Sequence, residues 1–236
     1  MNYNYEKIDG SCCTGFTGVS TSASGEQTIE WNSTWKIAKD DNADLVKGYS
    51  FVGLTQNLEN KIQDIESIPA TYTWDRTNST AYKGESYPQA FSNTGCLTFL
   101  GTGNVCFDFI TSPTKGDSTS SSAQELMLWL RYEGGQLPIG YADGPVATIS
   151  GLYNKTWTLY QGTNEDSGIP VSSLLVDEAD QYYGSFDGDV KDLLLKLVDQ
   201  GLFGQDVYVN VGNAGMEPFY GDVEFVNTLA LTIELA

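Results

Sequence analysis

The stretch Gln124-Glu125-Leu126-Met127-Leu128-Trp129-Leu130 alternates leucines with a second, chemically mixed set of side chains. Successive side chains of a β-strand point to opposite faces, so Glu125, Met127 and Trp129 share one face and the three leucines share the other. The leucine face has to be buried in a core. The other face presents a carboxylate, a thioether and an indole, which fits either a strand bordering a cleft or a structural strand with one exposed charge.

The rest of the chain extends this strand pattern. It has 236 residues, of which 40% are hydrophobic, with 25 Gly and 14 Tyr, a composition typical of many short strands joined by turns. We expect one domain over residues 1–236. Strand-like segments occur at residues 14–21, 28–37, 45–54, 62–74, 97–100, 105–110, 125–132, 146–150, 156–161, 171–177, 207–211 and 223–234.

One segment departs from the strand period. Between Asp187 and Gly201, apolar residues recur at positions 190, 193, 194, 197 and 198, the spacing of an amphipathic helix. Asp187 and Asp189 suit its start and Gly201 suits its end. One helix among about a dozen strands predicts an all-β fold, a β-sandwich or β-jelly roll of two packed, curved antiparallel sheets, with the helix on the outside.

Charge and residue types limit the chemistry. The net charge is −19, from 31 acidic and 12 basic residues, which argues against nucleic acid or an anionic membrane surface as a partner and favours a neutral polymer. The chain has no histidine, which excludes an imidazole base or ligand, and it has no Cys-x-x-Cys pair for zinc. We therefore expect no metal and no cofactor, and carboxylate chemistry remains.

Cysteines and glycosylation sequons bear on location. Cys96 and Cys106 flank a predicted hairpin and could form a cross-strand disulfide, whereas the adjacent Cys12 and Cys13 cannot easily pair with each other. Three Asn-x-Ser/Thr sequons, at residues 32, 78 and 154, weakly favour secretion. The first residues lack an apolar signal sequence, so either a signal has been removed or the protein is not secreted. We expect a monomer, because no exposed heptad pattern or long hydrophobic edge is present.

A second carboxylate lies in the strand at residues 105–110. Alternation places Val105, Phe107 and Phe109 on one face and Cys106 and Asp108 on the other. An aspartate in so apolar a strand needs a partner or a cleft. If this strand pairs with the one containing Glu125, the two carboxylates lie close together; the alternative is an ordinary exposed aspartate on an edge strand.

A third carboxylate, Glu217, follows Gly212-Asn213-Ala214-Gly215 and precedes Pro218. The small residues indicate a bend or bulge at the end of the strand at 207–211, which could aim Glu217 into a cleft beside Phe219 and Tyr220. Apolar neighbours raise a carboxyl pKa, as a general acid near neutral pH requires. The alternative is a surface glutamate in a turn. Two carboxylates that face each other across an aromatic-lined cleft are the groups that hydrolysis of a glycosidic bond requires.

Several distinctive motifs follow one another along the chain. The later ones are Glu125-Leu126-Met127-Leu128-Trp129-Leu130, Pro138-Ile139-Gly140, Trp157-Thr158-Leu159-Tyr160-Gln161-Gly162, Gly188-Asp189-Val190-Lys191 and Gly215-Met216-Glu217-Pro218-Phe219-Tyr220-Gly221. The earlier ones are Val46-Lys47-Gly48-Tyr49, Ile65-Glu66-Ser67-Ile68-Pro69 and Asn104-Val105-Cys106-Phe107-Asp108. Each motif is weak by itself, but together they specifically resemble glycoside hydrolase family 12, a group of β-jelly-roll endoglucanases and xyloglucanases.

The resemblance implies a secreted, retaining endo-β-1,4-glucanase acting on cellulose-type glucan, xyloglucan or mixed-linkage β-glucan. Glu125 would be the nucleophile, Glu217 the acid/base, and Asp108 would hold or tune Glu125. The cleft would be lined by Met127, Trp129, Pro138, Trp157 and Phe219. Retention predicts the two glutamate carboxyls about 5–5.5 Å apart.

The chain departs from the family pattern near its start. The family's early Asn-x-Trp-Gly piece corresponds to residues 2–7, which contain no tryptophan, and Met216 stands where threonine is more usual. The missing tryptophan motivates a second hypothesis from another class, a glucan-binding protein without turnover. A xylanase on the related jelly roll is a third, smaller alternative.

Overall fold

The computed structural model describes residues 2–3, 10–21, 26–38, 45–80 and 102–236. In these ranges the chain is mostly strand, with one α-helix, α1 (Lys191–Asp199). The strands are β1 (Asn2–Tyr3), β2 (Gly10–Thr21), β3 (Gln27–Ile37), β4 (Gly48–Gly53), β5 (Asn60–Lys61), β6 (Ile65–Ser67), β7 (Pro69–Thr80), β8 (Thr102–Ser112), β9 (Gln124–Glu133), β10 (Ala147–Leu152), β11 (Lys155–Thr163), β12 (Pro170–Val176), β13 (Ser185–Asp189), β14 (Tyr208–Leu231) and β15 (Glu234–Leu235).

Two curved layers form the predicted jelly roll. The first, which we call the cleft sheet, has the order β1-β4-β14-β8-β9-β12-β11-β10. The second, the outer sheet, contains β2, β3, β14, β7 and β13. The pairs are antiparallel except β9 with β12, which run parallel. The all-β jelly-roll prediction is confirmed.

Strand β14 belongs to both layers. Up to Tyr220 it pairs with β8, and from Gly221 onward it pairs with β3, with a register shift between Pro218 and Tyr220. The backbone at Gly221 has φ 120°, a region that favours glycine. The predicted end of a strand at residue 211 is therefore wrong. A Cβ at Gly215 would lie 2.2 Å from the Ser50 carbonyl oxygen, so that glycine permits close packing of β14 against β4. Register shifts at Val209/Val211 and Pro218/Tyr220 provide the irregularity that the small residues indicate.

The faces of β8 and β9 are sorted as the alternation predicts. Phe107, Phe109 and the leucines of β9 are fully buried in the main core between the sheets. Met127 and Trp129 lie on the opposite side, in a smaller cluster with Val171. We call this second group, completed by Cys106 and Leu175, the cleft-side cluster.

Helix α1 covers one side of the main core, as the apolar spacing predicts. Its leucines at positions 193, 194 and 197 are buried there. The Asp189 carboxylate accepts hydrogen bonds from the backbone N–H groups of Lys191 (2.9 Å) and Ile68 (2.7 Å), which ties the helix start to the neighbouring strand region. Gly201 ends the helical segment with φ 78°. Among the described residues, no helix is long and apolar enough to cross a membrane.

The cysteines do not form the expected cross-strand bridge. Cys106 is a free thiol, fully buried in β8, and Cys12 and Cys13 on β2 are free as well. The Cys106 thiol donates instead to the Tyr49 hydroxyl over 3.9 Å. The proposed bridge from Cys106 to Cys96 is therefore wrong, and Cys96 itself lies outside the described residues.

Candidate active site

Three adjacent strands of the cleft sheet carry the three carboxylates named from the sequence. Strand β8 lies between β9 and β14 and contributes Asp108, which pairs with Met127 on one side and Asn213 on the other. Glu125 stands on β9 and Glu217 on β14. Alternation along β9 places Glu125 on the same face as the cleft-side residue Met127.

Glu217 is held by one side chain from the neighbouring strand. The Asn104 carboxamide donates to the Glu217 carboxylate over 2.5 Å, and its oxygen accepts from the Glu217 backbone N–H over 3.3 Å. Burial raises the pKa of Glu217 to about 7; the charge of Glu125 adds to the rise and the Asn104 hydrogen bond opposes it. A carboxyl with this pKa keeps its proton in weakly acidic solution.

Glu125 and Asp108 are two buried acids, and the charge of Glu125 acts on Asp108. Burial raises the pKa of Glu125. Burial raises the pKa of Asp108 well above its usual value, and the charges of Glu125 and Glu217 raise it further. The Asp108 Oδ1 atom is buried and has no hydrogen-bond partner within the described ranges. When two buried carboxyls lie close together, ionising both is unfavourable, so one of them stays protonated. The proton stays on the carboxyl whose ionisation costs more free energy.

A thiol and a phenol complete the floor of the site. Cys106 lies on β8 between Asn104 and Asp108, and its pKa is raised by burial and by the charges of Glu217 and Asp108. Burial and the same thiol raise the pKa of Tyr49, which therefore stays protonated and neutral. The carboxylates thus lie beside a thiol and a phenol that are neutral hydrogen-bonding groups.

Asn104, Cys106 and Tyr49 were missed as site residues by the sequence reasoning. Asn104 has the same strand parity as Cys106 and Asp108, so the alternation could have found it. Tyr49 comes from β4, far away in the chain, and no local pattern links it to the site. Its position depends on β4 pairing with β14.

The five predicted cleft residues do not all lie on the cleft side of the sheet. Met127 and Trp129 lie in the cleft-side cluster, both buried. Pro138 is buried in the segment that follows β9. Trp157 is 0% exposed in the main core, where its indole N–H donates to the Leu152 carbonyl over 2.9 Å. Phe219 also packs in the main core.

Two of those five predictions therefore need correction. Trp157 pairs with Val176 on β12 and belongs to the core-facing set of β11, so it does not line the cleft. Phe219 lies within the register shift of β14, between Pro218 and Tyr220. It therefore does not follow the alternation of faces that applies to Glu217. In the described part of the chain, no group of three or more Cys, Asp or Glu residues is arranged to hold a metal ion.

Known proteins are similar to this chain in sequence and in fold. A family model described as Glycosyl hydrolase family 12 matches residues 100–235. The xyloglucan-specific endo-beta-1,4-glucanase A of Aspergillus aculeatus is 31% identical over 214 residues, covering 90% of this chain and 74% of that protein.

Solved structures match almost the whole chain. The catalytic domain of Humicola grisea Cel12A, in complex with a soaked thio cellotetraose, aligns with a TM-score of 0.75 at 23% identity, covering 98% of this chain and 91% of that one. The xyloglucanase domain of NopAA, a type three effector from Sinorhizobium fredii, in complex with cellobiose, aligns with a TM-score of 0.67 at 22% identity, covering 95% and 88%. These structures share the fold described above.

Proposed function

Because this chain belongs to glycosyl hydrolase family 12, we propose that it is a retaining endo-β-1,4-glucanase. It hydrolyses internal β-1,4-glucosidic bonds of a cellulose-type glucan, xyloglucan or mixed-linkage β-glucan. The observation that carries the proposal is that Glu125 lies close enough for its charge to add to burial in raising the pKa of Glu217 to about 7. One group can supply a proton while the other supplies a negative charge.

In the first step, a Glu125 carboxylate oxygen attacks the anomeric carbon. Glu217 gives its proton to the glycosidic oxygen, the bond from the anomeric carbon to that oxygen breaks, and the departing chain leaves as an alcohol. The product is a glycosyl ester on Glu125. Asn104 holds the Glu217 carboxyl for this transfer through its hydrogen bond.

In the second step, a water molecule attacks the same anomeric carbon. Glu217, now a carboxylate, takes the water proton, and the ester bond to Glu125 breaks with return of the electron pair to the carboxylate. Each step inverts the anomeric carbon, so two steps retain its configuration. Both glutamates return to their starting states.

Asp108 acts on Glu125 through its proton. The pKa of Asp108 is raised by burial and by two neighbouring carboxylates, so Asp108 keeps a proton and leaves Glu125 ionised for attack. Asp108 is therefore a positioning residue in this proposal. A protonated carboxyl can also donate a hydrogen bond to the nucleophile.

The substrate class rests on charge and on relatives. A chain with net charge −19 suits a neutral polysaccharide. A relative is named for xyloglucan-specific endoglucanase activity, and the two solved structures hold cello-oligosaccharides. We propose secretion as the location, which the three Asn-x-Ser/Thr sequons at residues 32, 78 and 154 favour.

The first experiment measures reducing-sugar release from xyloglucan, carboxymethyl cellulose, barley β-glucan and xylan. We expect release by the wild type and a fall of at least about 100-fold in Glu125→Gln and in Glu217→Gln. Unchanged release in both variants would overturn the residue assignment. Glucan binding without release in the wild type would favour the binding protein, and a preference for xylan would favour a xylanase.

A second experiment separates the two roles. Azide and an aryl cellobioside are supplied to Glu125→Ala and to Glu217→Ala. Removing a nucleophile lets azide attack the substrate directly, so Glu125→Ala should form the inverted glycosyl azide. Removing the acid/base leaves the ester step intact, so Glu217→Ala should form the retained glycosyl azide. Exchanged products would contradict the assignment.

A further inference from the structure

One exposed aromatic side chain stands beside the cleft sheet without a role in the proposed chemistry. Tyr141 lies in the turn after Pro138 and is 43% exposed. Its ring lies 5.1 Å, centroid to centroid, from the Tyr160 ring on β11, at an interplanar angle of 34°. One face of Tyr141 thus covers Tyr160, and part of its surface remains open.

The position of Tyr160 connects this pair to the carboxylates. Tyr160 is opposite Ser173 on β12, and Ser173 is opposite Met127 on β9. Partners across a sheet share a face, so Tyr160 lies on the face that carries Glu125, and it packs against the cleft-side cluster. Two strand spacings separate Tyr160 from β9, about 10 Å, a distance that a short stretch of glucan can cover.

The turn that carries Tyr141 is fixed against β11. Gly140 has φ 83°, and a Cβ there would come within 1.9 Å of the Gln161 carbonyl oxygen. A Cβ on Gly162 would lie 2.6 Å from an Ile139 side-chain carbon. The two glycines allow the turn and the strand to touch, and so hold Tyr141 in place before any ligand binds, which lowers the entropic cost of binding.

Polar atoms without partners mark the path between the carboxylates and this pair. In the described parts of the chain, the Trp129 indole N–H and the Ser173 hydroxyl are buried and lack hydrogen-bond partners. Both belong to the cleft-side face of β9 and β12. Unpaired buried polar groups are rare in native proteins and call for a water or a ligand.

We propose that Tyr141, supported by Tyr160, is a sugar-stacking subsite for the glucan chain at a distance from the cleaved bond. The apolar face of a glucose ring would cover the open side of the Tyr141 ring, as aromatic residues cover flat apolar surfaces. This subsite rests on the proposed function, because its ligand is the same polysaccharide. It acts on long substrates only, since a short one would not reach it.

The test compares substrate lengths in Tyr141→Ala, Tyr141→Phe and Phe16→Ala. Phe16 is an exposed aromatic, 71% accessible, on strand β2 of the outer sheet, and serves as the control. For cellohexaose we expect the KM of Tyr141→Ala to rise roughly three- to tenfold, with little change for an aryl cellobioside. Tyr141→Phe keeps the ring and should behave like the wild type, as should Phe16→Ala.

Two results would overturn the subsite. One is an equal KM for cellohexaose in Tyr141→Ala and the wild type; the other is an equal loss on short and long substrates. If the wild type hydrolyses no glucan, the proposed function fails, and calorimetric binding of cellohexaose then tests the subsite directly. Binding weakened only in Tyr141→Ala would support the subsite, and binding that is absent or unaffected would refute it.

Discussion

The two faces of strands β8 and β9 differ in what they contribute to the protein. The core face, with Phe107, Phe109 and Leu128, is fully buried and apolar. The cleft face of the same strands carries Asp108 and Glu125, both with a raised pKa. One backbone ladder thus supports a face that stabilises the fold and a face whose charges oppose it.

Reactivity on the cleft face comes with a loss of stability. A raised carboxyl pKa means that the folded protein disfavours the ionised form, which lowers stability at neutral pH. The rigid core face keeps these groups in place despite that cost. Natural active sites often trade stability for function in this way.

The largest expected effect is on the core face. Phe107→Ala should lower the free energy of unfolding by about 3–5 kcal/mol, because it removes a buried ring and leaves a cavity. The neighbouring Cys106→Ala, on the cleft face, removes one buried sulfur atom and its hydrogen bond to Tyr49 and should cost only about 1–2 kcal/mol. Chemical denaturation measures both, and equal losses would contradict the assigned difference between the core face and the cleft face.

The next effect is on the cleft face and has the opposite sign. The folded pKa of Glu217 is about 7, above the unfolded value, so the folded state binds the proton more tightly. Wild-type stability should therefore fall as pH rises from about 4.5 through 7. Glu217→Gln removes this loss and should be more stable than the wild type by up to about 3 kcal/mol at pH 8, and similar to it near pH 4.

Denaturation of both proteins from pH 4 to 8 measures this gap. Glu224→Gln makes the same chemical change on β14 in the outer sheet. This control distinguishes an effect of the cleft environment from the general effect of removing one negative charge. A gap between Glu217→Gln and the wild type that stays constant with pH would contradict the assigned cause.

The sequence predicted the parts of the fold that have a local period. Alternation separated Glu125 from Leu126, and the helical spacing located α1, because each face must meet either core or solvent. The structure places Glu125, Asp108 and Glu217 on three adjacent strands of the cleft sheet. The sequence could single them out because a carboxylate is unusual in an otherwise apolar strand. Their catalytic roles remain a proposal.

The remainder depended on contacts that no local pattern contains. Trp157 has the sequence context of a cleft residue, but strand pairing turns it into the core. The register shift at Phe219 interrupts the alternation of faces along β14, so the sequence does not predict which face this ring occupies. Tyr49 reaches the site through the pairing of β4 with β14, which joins segments far apart in the chain.

The smallest expected effect concerns Asn104, the cleft-face residue that holds Glu217. Its hydrogen bond favours the ionised carboxylate, so Asn104→Ala should raise the pKa of Glu217 further. Glu217 must be protonated to act as the acid, and the alkaline limb of kcat/KM against pH should therefore move upward by about half a unit to one unit.

The control for this prediction is Asn210→Ala. Asn210 is a buried asparagine on β14, and its amide donates to the carbonyls of Thr114 (3.1 Å) and Asp117 (2.7 Å), whereas Asn104 lies on β8. Losing it should lower stability and leave the pH profile in place. If Asn104→Ala lowers the rate equally at every pH, Asn104 supports the strand and does not tune the acid. A shifted limb in Asn104→Ala alone would show that one hydrogen bond on the cleft face sets the working pH.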